Sequence, residues 1–383
     1  MFDKSVELFP VKQEIAYLAN CGVSPMFSGA AAEMTAFCNA RMLKGIAPIL
    51  DYPDILDSFR ESLHAITGAP AEDFAFMKNT AEAISIIANG YPLSEGDEII
   101  SYVHEYPSNH YPWLIQQQRG AKLVLLDDID PIGNLAPGKP RGWSLDDLER
   151  ATTDRTRIVA ISHVQFTSGF AADLSAVGAF CHARGIDLIV DVAQSLGAMP
   201  VRPEEYHISA MAGSGWKWLL GPFGSGLMYT TPEFRAKIEM TMTGPNIMTQ
   251  GLDYLDHTWS LLGDARRFEY SSVQLSYAAA LSKVLSDVFC KYDPADVRDE
   301  IFRLQDLFIA RVDTNRYRPV LFAGANRSGI LALETNADLD AIISSLAEQG
   351  IGVSARGGYL RIAPHFYNDD AEIIRTAEAL NAL

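Results

Sequence analysis

Lys217 lies between two tryptophans within residues 214–218, and glycines stand on both sides of this run. Apolar surroundings disfavour the charged ammonium form, so they lower the pKa of a lysine and leave a free amine. Such an amine attacks an aldehyde and forms a Schiff base with it. The alternative is a lysine whose apolar stem packs between the two indole rings while its ammonium group reaches solvent.

A carboxylate precedes this lysine, since Asp191 follows the apolar residues 186–190 and Gln194 comes three positions later. The strand-like residues 207–211 predict that Asp191 and Lys217 emerge from neighbouring strands at one edge of a sheet. Pyridoxal phosphate needs a lysine for its aldehyde and a carboxylate that keeps its ring nitrogen protonated. The pair therefore predicts a pyridoxal-phosphate site, although Asp191 taken alone is equally well explained as a helix cap.

Short apolar runs alternate with helix-length segments through the first two thirds of the chain. The predicted strands are 74–77, 98–101, 122–126, 157–161, 187–190 and 226–229, and the predicted helices are 80–89, 112–119, 145–151 and 174–184. This alternation is typical of an α/β fold with a parallel sheet and crossover helices. Ligands bind at the carboxyl ends of such strands, which brings Asn79, Thr80, Tyr106, residues 167–168 and Asp191 to one rim.

Beyond roughly residue 255 the pattern changes to two long helices followed by strand, helix, two strands and a helix. We predict a large cofactor-binding α/β domain over residues 15–255 and a small α+β domain over residues 256–383. Residues 1–14 are expected to complete the small domain.

Composition excludes several classes of function. The 383 residues carry a net charge of −17, so nucleic acids and anionic membrane surfaces are expected to be repelled. The four cysteines are scattered, which predicts reduced thiols and a cytoplasmic protein, and residues 1–20 contain charges that interrupt any signal-peptide core. The eight histidines show no metal-binding spacing, so no metal site is expected.

The order of several short motifs carries a further signal. In sequence they are residues 79–82, 105–109, 162–165, 190–194, 214–217, 267–272 and 359–364. In this order they resemble the class V aminotransferase group of fold-type I pyridoxal-phosphate enzymes, which includes cysteine desulfurases, kynureninase and isopenicillin-N-epimerase-like proteins. The resemblance covers nearly the whole chain, and it implies a large domain with a mainly parallel seven-stranded sheet.

The resemblance implies cofactor contacts for ten residues. Lys217 would hold the cofactor, Asp191 its ring nitrogen and Gln194 its ring hydroxyl. The remaining contacts would come from an aromatic cover at Tyr106 and Trp216 and from a phosphate cradle at Asn79, Thr80, Ala81, Ser214 and Ser272. In the family the residue matching Ser272 reaches the partner subunit's phosphate, which implies a homodimer with shared active sites. From the local sequence alone, Asn79 and Ser272 are also well explained as helix caps.

The substrate is expected to be an amino acid or a related amine. Arg361 matches the family arginine that binds the substrate carboxylate, for which a planar fork of donors is well suited. Arg356 is a rival for this role. Phe166 stands where many relatives have an asparagine that faces the substrate.

Three departures from the cysteine desulfurases bear on the reaction. Tyr106 replaces their usual ring-stacking histidine, and Trp216 replaces the histidine before the lysine. The desulfurases also have a mobile-loop cysteine shortly before the matching arginine, and residues 352–360 contain none. We therefore expect transamination first, with C–S lysis, β-elimination or epimerisation as the alternative, because all begin with removal of the Cα proton. A non-catalytic pyridoxal-phosphate-binding protein is the alternative from another class.

Overall fold

The computed structural model describes residues 1–383, apart from the side chains of residues 52 and 53. The strands are β1 (Ala16–Tyr17), β2 (Phe74–Met77), β3 (Glu98–Tyr102), β4 (Lys122–Leu126), β5 (Thr156–Ser162), β6 (Asp187–Asp191), β7 (Ala210–Ser214), β8 (Gly226–Thr230), β9 (Arg318–Pro319), β10 (Leu331–Glu334), β11 (Ile351–Gly352), β12 (Ser354–Arg356) and β13 (Tyr359–Ile362).

The helices alternate with these strands. They are α1 (Ser28–Lys44), α2 (Tyr52–Thr67), α3 (Thr80–Gly90), α4 (Tyr111–Leu114), α5 (Leu145–Ala151), α6 (Leu174–Ala183), α7 (Pro232–Lys237), α8 (Leu275–Asp287), α9 (Pro294–Ile309), α10 (Leu339–Glu348) and α11 (Asp370–Ala382).

Seven strands form the central sheet in the order β2-β8-β7-β6-β5-β3-β4. Only β8 runs antiparallel to its neighbours, so the sheet is mainly parallel, as the resemblance implied. The middle strands β6 and β7 are fully buried and apolar between their end residues, which is the pattern expected when helices cover both faces. The expected α/β class of the large domain is thereby confirmed.

The strand that precedes the lysine begins later than expected. The sequence predicted a strand at residues 207–211, whereas β7 spans Ala210–Ser214. Residues 202–208 form turns instead, with hydrogen bonds from the Tyr206 amide to the Arg202 carbonyl and from the Ile208 amide to the Pro203 carbonyl, and His207 has a φ of 49°. The alternation of apolar residues continued into the turn, so it did not reveal this boundary.

A separate apolar cluster lies under the C-terminal elements. It combines α9, α10 and α11 with the antiparallel sheet β12-β13-β10-β9 and with Ala16 and Leu18 near the N-terminus. Strand β1 pairs with β11 in parallel, with Ala16 opposite Ile351. Helix α8 packs against α1 and α2, and its residues Ala278 and Leu281 belong to the larger core. The domain limits given above remain a prediction.

Within the described part of the chain, no helix has both the length and the apolar character needed to cross a membrane.

Candidate active site

A cavity of about 520 Å³ opens at the carboxyl ends of the central strands. Its walls include every residue assigned to the site from sequence except Ser272. These residues are Asn79, Thr80, Ala81, Tyr106, Phe166, Asp191, Gln194, Ser214, Trp216, Lys217, Arg356 and Arg361. The parallel sheet brings them together, because its strand ends share one edge.

A tight loop after β7 presents Lys217 to this cavity. The Leu220 amide donates to the Lys217 carbonyl at 2.9 Å, and the Gly221 amide donates to the Gly215 carbonyl at 2.7 Å. A Cβ atom on Gly215 would lie 2.3 Å from Ser225 Oγ, so only glycine fits this approach. Leu220 has a φ of 56°, which is unusual for a branched residue and marks backbone strain beside the lysine.

The amine of Lys217 faces an aromatic ring and a carboxylate. Its Nζ atom lies 5.2 Å from the centre of the Tyr106 ring. Burial lowers the pKa of Lys217, while the charge of Asp191 acts in the opposite direction. The lowered pKa favours the neutral amine that carbonyl chemistry requires.

Asp191 ends strand β6, opposite Ala212 of β7 in the parallel register. Its side chain is buried, and its Oδ1 atom accepts a hydrogen bond of 2.8 Å from the Ala193 amide. Burial raises the pKa of Asp191, against the attraction of Lys217 and the Ala193 hydrogen bond. A buried carboxylate of this kind is stabilised by a cationic partner, and a protonated pyridine nitrogen is such a partner.

Gln194 is fixed by two contacts. Its Nε2 atom donates to the Cys21 carbonyl at 2.8 Å, and its Oε1 atom accepts from Trp218 Nε1 at 2.9 Å. The amide nitrogen carries two hydrogens, and only one of them has a partner among the described residues. This arrangement suits a contact with a ring hydroxyl, and it explains why Trp218 is fully buried next to the lysine.

The start of helix α3 forms one end of the cavity. Asn79 caps the helix, since its side chain accepts a hydrogen bond of 2.8 Å from the Glu82 amide. The following amides of Thr80 and Ala81 belong to the first turn, where backbone donors have no partner within the helix. Ser214 Oγ lies buried in the same wall without a hydrogen-bond partner among the described residues. Helix donors and an orphaned hydroxyl together fit the phosphate of pyridoxal phosphate.

Glu105 was not assigned a role from sequence, although it directly precedes Tyr106. Its buried carboxylate accepts from the Ser162 amide at 2.7 Å, from the Ser162 hydroxyl and from Gln165 Nε2 at 2.8 Å. Ser162 lies opposite Asp191 in the sheet register. Glu105 therefore connects the loop that carries Tyr106 to the strand next to Asp191.

The two arginines assigned from sequence differ in their surroundings. Arg361 is buried, with its Nη1 atom donating to the Phe166 carbonyl and its Nη2 atom donating to Ser354 Oγ at 3.1 Å. Its Nε atom has no partner among the described residues. Arg356 is exposed at the cavity wall.

Ser272 is the one assigned residue that the structure places elsewhere. It is exposed and lines a neighbouring pocket with Lys78 and Glu82 rather than the cavity that contains Lys217. It does not cap α8, which begins at Leu275 after the N-cap residue Gln274. Its position leaves the predicted reach into a partner subunit as a proposal.

Some residues of the cavity wall were missed by the sequence analysis. They are Cys21, Gly22, Val23, Ser108, Ala193 and Phe223. Ser108 and Ala193 adjoin assigned residues, so their motifs offered a signal. Cys21 and its neighbours follow β1 from the far end of the sequence, and nothing in their local pattern indicated the cavity.

Comparison with known proteins identifies the family. The family described as Aminotransferase class-V matches residues 50–366. A probable cysteine desulfurase of Methanothermobacter thermautotrophicus is 25% identical over 346 residues, which cover 86% of this chain and 83% of that protein. The cysteine desulfurase CsdA of Escherichia coli is 34% identical over 182 residues, which cover 46% of this chain and 43% of that protein.

The fold has a close solved counterpart. A structure of the cystine C–S lyase C-DES with its reaction product cysteine persulfide superposes with a TM-score of 0.87 at 20% identity, covering 97% of this chain and 99% of that one. At this identity the likeness concerns the fold. Together with the family match, which spans most of the sequence, it shows that the chain belongs to the class V aminotransferase family of pyridoxal-phosphate-dependent enzymes.

Proposed function

We propose that this enzyme is a C–S lyase that cleaves the Cβ–S bond of cysteine or of a cysteine derivative. The relatives named cysteine desulfurase and the structural neighbour named cystine C–S lyase support sulfur-containing substrates. They favour the lyase alternative over transamination, which the sequence analysis placed first. Family membership and an intact Lys217–Asp191 pair support catalysis rather than binding alone.

One observation favours elimination over transfer of sulfur to a protein thiol. The hairpin β12–β13, which forms the wall beside Arg361, contains no cysteine between residues 352 and 360. Cys21 is the one cavity-lining thiol among the described residues, and its Sγ atom is buried 3.6 Å from Ser354 Oγ. We propose that the sulfur leaves with the product and not on the protein.

Each residue has a defined part in this chemistry. When bound, pyridoxal phosphate supplies an electron sink for the substrate's Cα. Lys217 holds the cofactor and then, as a free amine, takes the Cα proton. Asp191 would keep the ring nitrogen protonated, Gln194 would orient the ring hydroxyl, and Thr80, Ala81 and Ser214 would bind the phosphate. Tyr106 would cover the ring.

The bond changes balance as an elimination followed by hydrolysis. The Cα proton goes to Lys217, and the Cβ–S bond breaks with its electron pair moving to sulfur. The sulfur takes up a proton and leaves as a thiol, a persulfide or sulfide, according to the substituent that it carries. One water then converts the carbon skeleton to pyruvate and ammonium. Arg361 holds the substrate carboxylate during these steps.

The assembly is proposed to be a cytoplasmic homodimer with shared active sites. All four cysteines are free, which is consistent with a reducing compartment. The large exposed side chains of Leu252, Tyr254, Leu255 and Trp259 precede Ser272 in one surface segment. A second copy of this chain would cover such apolar surface and bring Ser272 towards the neighbouring phosphate. Sedimentation should then give twice the chain mass of 42.0 kDa.

The test is a product assay on purified enzyme loaded with pyridoxal phosphate. Cysteine, cystine, S-alkyl cysteines and alanine are each supplied, and pyruvate, ammonium, sulfide and persulfide are measured. The proposal predicts pyruvate and ammonium in equal amounts from sulfur-containing substrates. Formation of alanine, with sulfur retained on the protein, would instead show desulfuration, and dependence on an added 2-oxo acid would show transamination.

Two variants serve as controls. Lys217→Ala should abolish product formation and the borohydride-reducible bond between protein and cofactor. Cys21→Ser should keep most of the turnover, because elimination requires no protein thiol. A persulfide found on Cys21 by mass spectrometry, together with loss of turnover in Cys21→Ser, would contradict elimination and assign sulfur transfer to that residue.

A further inference from the structure

Two buried polar residues, Glu105 and Gln165, are each followed by an aromatic residue of the cavity wall. Glu105 is 7% exposed and precedes Tyr106. Gln165 is 1% exposed and precedes Phe166. The polar side chains meet where Gln165 Nε2 donates to Glu105 Oε1 at 2.8 Å, and the aromatic rings meet edge-on with centres 5.1 Å apart. The hydrogen bond and the aromatic contact therefore join the same two segments of the chain.

Four hydrogen bonds hold the Glu105 carboxylate. Besides the Gln165 amide, the donors are the Ser162 amide at 2.7 Å, the Ser162 hydroxyl and Asn109 Nδ2 at 3.3 Å. Ser162 ends β5, whereas Asn109 belongs to the turn that follows Tyr106. Since a carboxylate accepts about four such bonds, its acceptor capacity is filled. Glu105 is thereby fixed in one position between the two segments.

Gln165 is restrained through its backbone as well as its side chain. Its amide donates to the Phe170 carbonyl at 2.8 Å, and its carbonyl accepts from the Gly169 amide at 3.0 Å. Its Oε1 atom is buried and has no partner among the described residues, so Glu105 is the group that its side chain binds. An unpaired buried carbonyl oxygen costs free energy. The contact with Glu105 is therefore better explained by what it positions than by a gain in stability.

The segment that begins at Gln165 also reaches the arginine assigned to the substrate. The Phe166 carbonyl accepts from Arg361 Nη1, and Ser354 Oγ accepts from Arg361 Nη2 at 3.1 Å. Arg361 Nε has no partner among the described residues, so these two acceptors orient the guanidinium group. The Phe166 carbonyl lies one residue beyond Gln165. A shift of Gln165 would therefore displace one of the two acceptors.

We propose that Glu105 and Gln165 are positioning residues whose hydrogen bond sets both the aromatic cover of the cofactor and the arginine that anchors the substrate carboxylate. The cover is Tyr106 and the anchor is Arg361, so the inference rests on the roles that the proposed function gives them. Glu105 and Gln165 do not belong to the cavity wall, and they act through the residue that follows each of them. Loss of their hydrogen bond should weaken the binding of cofactor and amino acid together.

The test measures two dissociation constants at about pH 8, where Glu105 is ionised because its pKa is about 7. Pyridoxal phosphate is titrated into the apoprotein. L-Alanine, which has the α-amino and α-carboxylate groups but no sulfur, is titrated into the cofactor-loaded protein, and cofactor absorbance follows both titrations. Glu105→Ala and Gln165→Ala should each raise the Kd for pyridoxal phosphate about 2- to 10-fold and the Kd for alanine at least about threefold.

Several results would overturn the proposal. They are unchanged constants in both variants, a rise in one of the two constants alone, and a wild type whose absorbance alanine does not change. If Glu105→Ala does not fold, Gln165→Ala decides, because it removes one hydrogen bond and leaves the carboxylate its other three donors.

Further variants separate positioning from stability. Asp73→Ala is the matched control, because Asp73 is also a buried carboxylate, paired with Arg235 at 2.9 Å, but it precedes β2 at the edge of the sheet away from the cavity. It should lower the unfolding temperature and leave both constants within about twofold of the wild type. If Asp73→Ala raises both constants as much as Glu105→Ala does, loss of stability explains the effect and the proposal is wrong.

A conservative variant and a double variant complete the experiment. Glu105→Gln retains a hydrogen bond to Gln165 when that amide rotates, so both constants should return to within about twofold of the wild type. Glu105→Ala combined with Gln165→Ala should raise each constant no more than the stronger single variant does, because both remove the same bond. Additive effects would show that the two residues act independently. Neither constant requires turnover, so a protein that behaves in this way but forms no pyruvate would refute the lyase function alone.

Discussion

The Nζ atom of Lys217 lies 5.2 Å from the centre of the Tyr106 ring. The same ring packs edge-on against Phe166, with ring centres 5.1 Å apart at 81°. Tyr106 is also 42% exposed, so one of its faces is free towards the cavity. Lys217 and the Tyr106 ring thus define the position in which a planar cofactor would bind.

Replacement of Tyr106 should weaken the binding of the cofactor and leave the stability of the fold unchanged. Stacking of aromatic rings contributes about 0.5–1.5 kcal/mol beyond area burial, so Tyr106→Ala should raise the Kd for pyridoxal phosphate about 2- to 12-fold. Tyr106→Phe keeps the ring and should stay within about twofold of the wild type. Titration of the apoprotein followed by cofactor absorbance measures both, and equal Kd values for Ala and Phe variants would argue against stacking.

Asp191→Asn should keep the fold and lose most of the turnover. An asparagine can still accept the Ala193 amide hydrogen bond. It carries no negative charge, however, and cannot hold a proton on the ring nitrogen. We expect kcat to fall on the order of 100-fold or more, since charge stabilisation by one such group is worth several kcal/mol. Thermal unfolding of the wild type and the variant is the control for an intact fold. A fully active Asp191→Asn variant would show that Asp191 is not needed to protonate the ring nitrogen.

Glu105 should make the protein less stable as the pH rises. Burial raises the pKa of Glu105 to about 7 from an ordinary value of 4.5, against its hydrogen bonds to Ser162 and Gln165. The folded state therefore holds a proton that the unfolded state has lost, and stability falls between about pH 4.5 and pH 7. The loss is at most about 3 kcal/mol at 1.36 kcal/mol for each pKa unit.

Glu105→Gln should remove this component, because an amide does not titrate. Gln165 Oε1 has no partner among the described residues, so rotation of that amide allows it to accept from the new side chain. Denaturant unfolding from pH 4 to pH 8 compares the two proteins. A difference in unfolding free energy that does not change with pH would contradict the raised pKa of Glu105.

His365 should make the protein less stable as the pH falls, which is the opposite of the effect of Glu105. Burial lowers the pKa of His365 to about 4 from 6.5. Its Nδ1 atom accepts from the Phe366 amide at 2.8 Å, and its Nε2 atom lies 2.9 Å from the Trp218 carbonyl, which suits a neutral ring. Stability is therefore fully present above pH 6.5 and is lost as the pH falls towards 4. His365→Gln should flatten this part of the unfolding curve, and an unchanged slope would contradict the prediction.

The sequence was sufficient for the parts of the site that follow strands. Asp191 ends strand β6, and Lys217 follows the end of strand β7 at Ser214 by three residues, so the alternation of strands and helices was enough to bring both to one edge of the sheet. The seven ordered motifs then added the start of helix α3 at Thr80 and Arg361 to the predicted site. These features are local, and local patterns survive in a single sequence.

The contacts that the sequence could not predict join residues far apart in the chain. The Cys21 carbonyl holds Gln194 across 173 positions, and the Phe166 carbonyl holds Arg361 across 195. Neither acceptor is a side chain, so neither residue type carried a signal. The sequence also could not predict that the Ser214 hydroxyl lacks a hydrogen-bond partner, because this depends on the residues packed around it and not on the residue type.

The pairing of β1 with β11 has a consequence for the order of synthesis. Ala16 leaves the ribosome well before its partner Ile351, which follows 335 positions later, since 351 − 16 is 335. Ala19 waits likewise for Ala363. The nascent chain can complete its central sheet and the lysine loop long before this, whereas the wall that carries both arginines forms only after residue 362 has been synthesised. The cofactor pocket thus forms before the substrate pocket. Removal of α11 should leave a protein that still binds the cofactor but no longer discriminates between substrates.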